Sequence, residues 1–586
     1  MSTSKKKVLF LSPRAAIWVH AFPEAVLAES LMKSGHDVCY VTCGEVLKNH
    51  CEAMDANSAP HGSSLEVRSR VCALCHFQGE LLRTNMALPG CRLSDVITEA
   101  DVTWANEMLE ACPKEGVENY FVDGMPVGRT ALYVLLLDTK RIDLHFSAEE
   151  MAIYRIELFN TLLGLAAAKK LVAQEKPERV IIYNALYPVN QIFLHYVESQ
   201  GIPCYSLHAG ANLAHRIQYI FLTRRYTFDF FAQQIADWPR WSGIPAGGDE
   251  ISQTVDHFLT LIQGIGHWAY SSARNKDVGD LRERFGVPGG ASVLVATMSS
   301  YDERFAAEAV HALPDYSGRL LFDRQADWVQ AVIEYVADRP DLFFIIRVHP
   351  REFRGNVSQH AAKLKQLFAT LPANVRVNWP TDEISIFDLA EITDVFLNAW
   401  SSAGKEMALL GIPAVIYSKE LVFYPPELNY VGDESREHYF AAIESALADG
   451  WRAERIVQAF RWYAFDHHRS LFDLRQSYPL PQHTPIGVYG RHKLSSIAHA
   501  AEARLDVYQR ADRLRQADLL SDVVEQGADS LLPLLDPEAF RLTTEAEELA
   551  LIKTHMRRLL QTWHGERVPT SLTGLFVRLY AFANSP

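Results

Sequence analysis

Two serines stand side by side in "FLNAWSSAGKEMALLGIPAVIY" (396–417), between an apolar run and a helical stretch with a glutamate one turn on. Ser401 and Ser402 fall where a helix should begin, so unpaired backbone N–H groups and the helix dipole there favour an anion. Serine is also among the best helix caps, and capping alone accounts for one of the pair. A capping box closed from Ser402 needs Glu or Gln at 405, where the chain has Lys405. Glu406 then has no capping duty and can face a cleft, accepting from ligand hydroxyls.

Upstream, "LFFIIRVHPRE" ends an apolar run in His349-Pro350-Arg351. Pro350 fixes the backbone after the imidazole, and Arg351 adds a permanent cation suited to phosphate. "TMSSYDE" (297–303) offers the hydroxyls of Ser299 and Ser300 in the same position after another apolar run. Anion-compatible groups at successive run ends point to a phosphorylated ligand.

The eight cysteines crowd the first part of the chain, unlike a secreted disulfide framework. Cys72-Ala-Leu-Cys75-His76 matches the c-type haem attachment pattern, but no partner axial ligand is evident and that reading is set aside. Cys43, Cys51, Cys72 and Cys75 are instead candidate ligands of a structural zinc ion, with the CxxC supplying one knuckle. Reduced, partly buried thiols are the simpler alternative.

The elements that must position these groups alternate along the chain. Short apolar runs at 7–12, 36–43, 179–185 and 202–210 read as buried strands, separated by helical spacing at 20–35, 147–174 and 190–201. The stretch 43–91 is less regular, and 117–137 reads as a strand joined to a helix. The pattern restarts with strands at 291–300, 342–350, 375–380, 395–400 and 414–418. Such alternation predicts an α/β fold of two doubly wound, Rossmann-like domains. In such sheets ligands sit beyond the carboxyl ends of the strands, where the serines and His349 fall. The expected division is an amino-terminal domain at 1–270 carrying the cysteine-rich insertion 43–91, a second domain at 278–440, and a helical region at 441–586.

A chain of 586 residues exceeds what one core supports. Its formal charge of −14 argues against a dedicated nucleic-acid binder. No apolar run reaches the length of a membrane span, and the run after the first lysines is too short for a secretory signal. A cytoplasmic location is expected. The segment 557–582 mixes apolar and basic residues and could serve peripheral membrane contact, self-association or docking, with packing onto the body the simpler reading.

The His-Pro motif and the paired serines, in the second half of a two-domain chain, resemble those of bacterial capsule-polysaccharide, sialic acid and Kdo transferases. These have the GT-B fold and use CMP-activated sugars; wall teichoic acid polymerases that use CDP-glycerol carry a similar pair. "TMSSYDE" is similar to the first loop of the capsule enzymes' second domain. "VTCGEVLKNHC", "CALCHF", "DGMPVGR" and "YNALYPVNQIFLHYVESQGIP" resemble surface-carbohydrate biosynthesis proteins. The resemblance spans most of 7–435. It implies that His349, Ser401 and Ser402 hold the donor's nucleotide and phosphate and that Glu406 holds the ribose.

The same resemblance places acceptor chemistry, toward a glycan or glycolipid, in the first half. An inverting enzyme needs a base there with a pKa within reach of neutrality. The candidates are His20 at the start of the first helix, Asp123 in the "DGMPVGR" turn, and His208 at the end of "IPCYSLHAG". No Asp-x-Asp motif is evident, so no catalytic metal is expected. A CDP-alcohol phosphotransferase, a non-catalytic glycan-binding scaffold and a sugar-nucleotide epimerase are the alternatives.

Overall fold

The computed structural model describes residues 5–265, 273–274, 280–314, 316, 318–353, 357–477, 514–564 and 574–585. The expected domain boundary at 270–278 lies mostly outside these residues, as do 478–513 of the helical region and 565–573 of the basic apolar segment.

The apolar runs are buried strands because helices cover both faces of each sheet. β1 (Lys7–Leu11), β2 (Asp37–Val41), β3 (Arg179–Tyr183) and β4 (Cys204–Ala209) pair in parallel in the order β2-β1-β3-β4. β5 (Tyr219–Arg224) adds antiparallel to β4. The second half has β6 (Ser292–Thr297), β7 (Leu342–Arg347), β8 (Val375–Asn378), β9 (Val395–Asn398), β10 (Ala414–Ile416) and β11 (Tyr430–Val431). These are all parallel, in the order β11-β10-β9-β6-β7-β8. Counted from its own first strand this is 6-5-4-1-2-3, the Rossmann order, which reverses between β6 and β9. The fold is therefore α/β with two Rossmann-like domains, as the alternation predicts.

β5, β11 and β12 (Phe472–Asp473) are absent from the sequence reading. β11 and β12 are two residues long, and β12 pairs antiparallel with β5 from far along the chain. The stretch 43–91 is more regular than expected, with a helix at Leu65–Asn85. No strand forms at 117–137; a 3₁₀ turn at Val117–Asn119 leads to helices Val127–Thr130 and Leu132–Thr139.

The carboxy-terminal region returns across both halves. β12 extends the first sheet, and Ala517–Gln526 packs on the first helix, Trp18–Lys33. Helix Ala453–Ala464 runs into a π-helical turn at Phe465–Arg469 and packs against Gly248–Ile262 and Ala403–Leu409. Two bidentate pairs, the first buried and the second partly so, pin this return: Arg461 binds both oxygens of Glu548 (3.0 and 2.6 Å), and Arg469 binds both of Glu250 (2.8 and 2.7 Å). Within 557–582, Leu559, Leu560, Trp563, Leu575, Phe576 and Leu579 are buried in the shared core. Helix Ala148–Glu175 is long and apolar enough to cross a membrane by length and composition, but it is mostly buried and packs against Pro188–Ser199.

Beneath the first sheet, Glu24 is 2% exposed. It accepts from the Ser12 hydroxyl at 2.6 Å, while its other oxygen has no hydrogen-bond partner. Burial pushes its pKa up to about 8 against an ordinary 4.5. A folded-state pKa above the unfolded one gives stability that is lost as pH rises through that interval. Glu24→Gln should therefore resist urea better than the wild type at pH above about 8, by on the order of 4 kcal/mol at full ionisation, with the gap closing toward pH 4.5.

Candidate functional site

A cavity of about 390 Å³ lies between the halves, a volume in the range of small-molecule sites. From the second domain, Arg347, His349 and Pro350 at the end of β7 and Ser401, Ser402, Lys405 and Glu406 after β9 line it. From the first domain come His208 on β4, Arg216, Phe221 and His257, and from the returning segment Asp466 and Leu471.

The serines divide the labour differently from the sequence reading. Ser401 caps the helix Ala403–Leu409, its Oγ accepting from Ala403 N–H at 3.2 Å. The exposed Ser402 makes no side-chain cap and donates instead to Glu406 Oε1 at 2.9 Å. The helix has seven residues, so its dipole adds little to anion binding. Glu406 is 7% exposed, and burial pushes its carboxyl above the ordinary range. Gly404 permits the packing behind the pair, since a Cβ there would meet the Tyr424 hydroxyl at 1.9 Å. That hydroxyl accepts from Asn398 Nδ2 at 2.8 Å, and Asn398 Nδ2 also holds the Ser401 carbonyl at 2.9 Å.

His349 presents a defined tautomer. Its Nδ1 accepts from Arg351 N–H at 3.3 Å, with the Ser300 hydroxyl at the same distance, which assigns the ring proton to Nε2. Burial first, then Arg347, Arg351 and Lys140, hold its pKa down to about 3. The imidazole is thus a neutral donor. Formal charge comes from its neighbours. Arg347 stays cationic although burial lowers it to about 10, and Asn378 Oδ1 and the Ile384 carbonyl fix it at 2.5 and 2.6 Å. Lys405 donates to Asp466 at 2.6 Å, both nearly buried.

Not every expected residue reaches the cavity. Ser299 is buried behind it, binding Gln325 Oε1 through its backbone N–H at 2.8 Å and donating to the Trp400 carbonyl. Ser300 acts through His349. Arg351 turns toward the first domain, meeting Asp302 at 2.9 Å, Glu303 at 3.4 Å and the Leu137 carbonyl at 3.2 Å. Lys140 completes the bridge by donating to the Arg351 carbonyl at 2.6 Å. Arg351 is thus a static tie between the halves where a phosphate ligand was expected. Asp123 lies in a turn with φ +52°, 58% exposed and paired with Lys169, away from the cavity lining.

The two histidines of the first half lie together, each against Tyr183. His20 stacks on its ring at 4.0 Å and His208 at 5.7 Å. His208 Nδ1 lies 2.9 Å from the Ala209 carbonyl, which assigns that nitrogen as donor and Nε2 as acceptor. Burial and Arg216 lower its pKa to about 4. Burial, then His208 and the cations Arg14 and Arg216, push His20 well below its usual value. His208 lines the cavity and His20 stands behind it.

Cys43, Cys51, Cys72 and Cys75 surround a separate small cavity of about 20 Å³ with His76. All are free thiols whose pKa values burial raises, and Cys75 donates to the Pro13 carbonyl at 3.6 Å. No three of them bring their sulfurs within 4.8 Å of one another.

Arg347, Lys405, Arg216, His257 and Asp466 were not foreseen. Arg347 had a signal, being two residues before His349 and so on the same strand face. His257 and Asp466 had none, because long-range packing delivers them.

No protein-family model matches this sequence, and no curated protein sequence does. Similar solved structures include a β-Kdo 2,4 transferase, KpsC of Thermosulfurimonas dismutans, with 14% identity and a TM-score of 0.33 over 54% of this chain and 87% of that one. The UDP-GlcNAc 2-epimerase of Methanocaldococcus jannaschii in complex with UDP-GlcNAc and UDP has 14% identity and a TM-score of 0.26 over 78% and 98%. The glycosyltransferase SnogD of Streptomyces nogalater has 14% identity and a TM-score of 0.23 over 79% and 96%. The strand orders and the cleft between the sheets give this chain the GT-B architecture.

Two outcomes follow from the site. Removing Lys405 leaves Asp466 buried without its cation, so Lys405→Ala should cost about 3–5 kcal/mol in chemical unfolding. Lys405→Met with Asp466→Leu should recover most of it. Separately, His208, His257 and His349 have folded pKa values near 4, 3 and 3 against 6.5 unfolded. The unfolded chain binds more protons across that window, so the urea midpoint should fall as pH drops from 6.5 toward about 4. Replacing His257 with Phe should flatten the slope.

Proposed function

We propose that this chain is a glycosyltransferase that moves a sugar from a nucleotide donor, CMP-linked, onto a bacterial surface glycan or glycolipid at the cytoplasmic face of the membrane. The observation that carries the reading is the meeting, around one cavity, of His349, Ser402 and Glu406 from one domain with His208 from the other. The cytidine assignment draws on the resemblance of the His-Pro and paired-serine motifs.

In this reading His349 Nε2–H donates to a phosphate oxygen of the donor, and Arg347 supplies the charge that balances it. The Ser402–Glu406 pair takes the ribose hydroxyls. Across the cleft, His208 Nε2 accepts the proton of the acceptor hydroxyl as oxygen attacks the anomeric carbon and the CMP phosphate departs. A pKa near 4 makes the free His208 a weak base. The donor's negative charge offsets the Arg216 field and strengthens it once bound. Tyr183, stacked between the two histidines, holds the ring in place.

Thermal unfolding with CMP, CDP, UDP and GDP tests the donor site. A cytidine nucleotide at about 100 times its Kd should add about 2.7 kcal/mol, and the shift should disappear in His349→Ala and shrink in Ser402→Ala. No shift with any of the four nucleotides would overturn the reading. A response to CDP stronger than that to CMP would move it to the CDP-alcohol phosphotransferases, whose donor carries a diphosphate and whose leaving group is CMP.

A further inference from the structure

A second group of side chains, apart from the cleft, converges in the amino-terminal half. His50 and His61 flank the short helix Glu52–Ala56, and Glu157 projects from the long helix Ala148–Glu175. One ligand atom from each of these three lies within 4.8 Å of the other two, the one such set of His, Cys, Asp or Glu among the described residues. His50 is 1% and Glu157 2% exposed, and the His61 side chain is 12% exposed. We propose that His50, His61 and Glu157 bind one divalent transition-metal ion, zinc foremost, which staples the segment carrying both histidines to the long helix.

The distances suit such an ion. His50 Nδ1 lies 3.4 Å and His61 Nε2 3.5 Å from the same oxygen, Glu157 Oε1. A tetrahedral zinc with ligands at about 2.0–2.1 Å holds them about 3.3–3.4 Å apart. Around this set lies the support that metal-binding histidines require. Asp55 Oδ1 is 3.1 Å from His50 Nε2, so that nitrogen carries the proton and Nδ1 turns its lone pair toward Glu157. Asn160, less than one turn beyond Glu157, holds the His50 carbonyl at 2.9 Å.

Hydrogen bonding alone does not account for the cluster. A proton on each nitrogen of His50 would serve Asp55 and Glu157 but leaves His61 out. Both ring nitrogens of His61 are buried without a hydrogen-bond partner, a costly state for polar atoms. Its ring nonetheless stacks on His50 with centroids 3.4 Å apart. A cation shared by the two imidazoles and the carboxylate supplies what the second ring lacks. The donor set is nitrogen and oxygen, which suits zinc and its first-row neighbours and not a thiolate-selective ion. None of the three residues lines the cleft, so the ion's role is structural.

The test is the metal content of the full chain purified without chelator and freed of any affinity tag, read by mass spectrometry. Near one equivalent is expected in the wild type, lost in His61→Ala and in the shape-preserving Glu157→Gln, and retained in a Cys72→Ser, Cys75→Ser double variant. Cobalt substitution should give visible d–d bands without thiolate-to-metal charge transfer. Chelation should lower the melting temperature of the wild type but not of His61→Ala. The proposal is overturned if the wild type holds no metal and zinc does not raise its melting temperature. It is equally overturned if metal stays in His61→Ala and leaves with the cysteines.

Discussion

The reversal of strand order between β6 and β9 is the constraint on which the rest of the second domain depends. Parallel strands connect over the faces of a sheet, and where the order reverses the connections depart to opposite faces. The carboxyl ends of β6 and β9 are left uncovered there. The chain fills this gap with small polar residues because bulkier ones would close it. Ser299 bonds across to the Trp400 carbonyl and ties the loop after β6 to the loop after β9. Ser300 and His349 extend the tie to β7. The cavity is thus bounded by three loops whose mutual positions are set by side-chain and backbone hydrogen bonds, and Gly404 lets the last of them pack against Tyr424.

Electrostatics within that space follow from burial. Desolvation holds His208, His257 and His349 neutral, so the imidazoles donate and accept without adding charge. Positive charge is supplied by Arg347, which stays cationic at neutral pH although burial lowers it to about 10, and by the side chains of Arg216 and Lys405. Lys405 is offset by Asp466, which arrives on the returning segment. The second domain's site is therefore incomplete without the carboxy-terminal region, and a second domain cut at 440 would leave Lys405 without its buried counterion.

Much of the architecture was legible because parallel strands are apolar throughout and short. Nine of the strands lie within the apolar runs, and the residues just after them were the right ones to inspect. What escaped has a common physical cause. β11 and β12 are too short to carry a pattern, while β5 is a buried six-residue strand paired antiparallel with β4, an apolar run that the alternation of parallel strands and helices passed over. Arg351 read as a phosphate ligand because its type and spacing suit one, yet the acidic pair Asp302 and Glu303 draws it to the domain interface. Asp123 read as a base because it sits in a polar turn, and the helix carrying Lys169 claims it. In the stretch 43–91 the cysteines drew the eye, while His50 and His61 became conspicuous only once a helix a hundred residues on brought Glu157 between them. Local pattern fixes where a side chain can be; the partner that captures it is a matter of tertiary charge.

The same balance of charge and packing holds the two halves together. Interfaces between domains of one chain are commonly small and polar. Here the contact near Arg351 combines hydrogen bonds from Lys140, Arg129 and Gln191 to backbone carbonyls of the second domain with apolar packing of Ala306, Val310 and Ala312 against Val127, Leu132 and Leu135. Behind the cavity the apolar packing is more extensive. One apolar cluster runs from the first sheet through Gly248–Ile262, Ala453–Ala464 and Glu545–His564 into the second, with Phe258, Phe387 and Trp563 in edge-to-face contact. Dense apolar packing resists sliding, and it is present on both sides of the cavity, so the halves are held in one arrangement from front and rear.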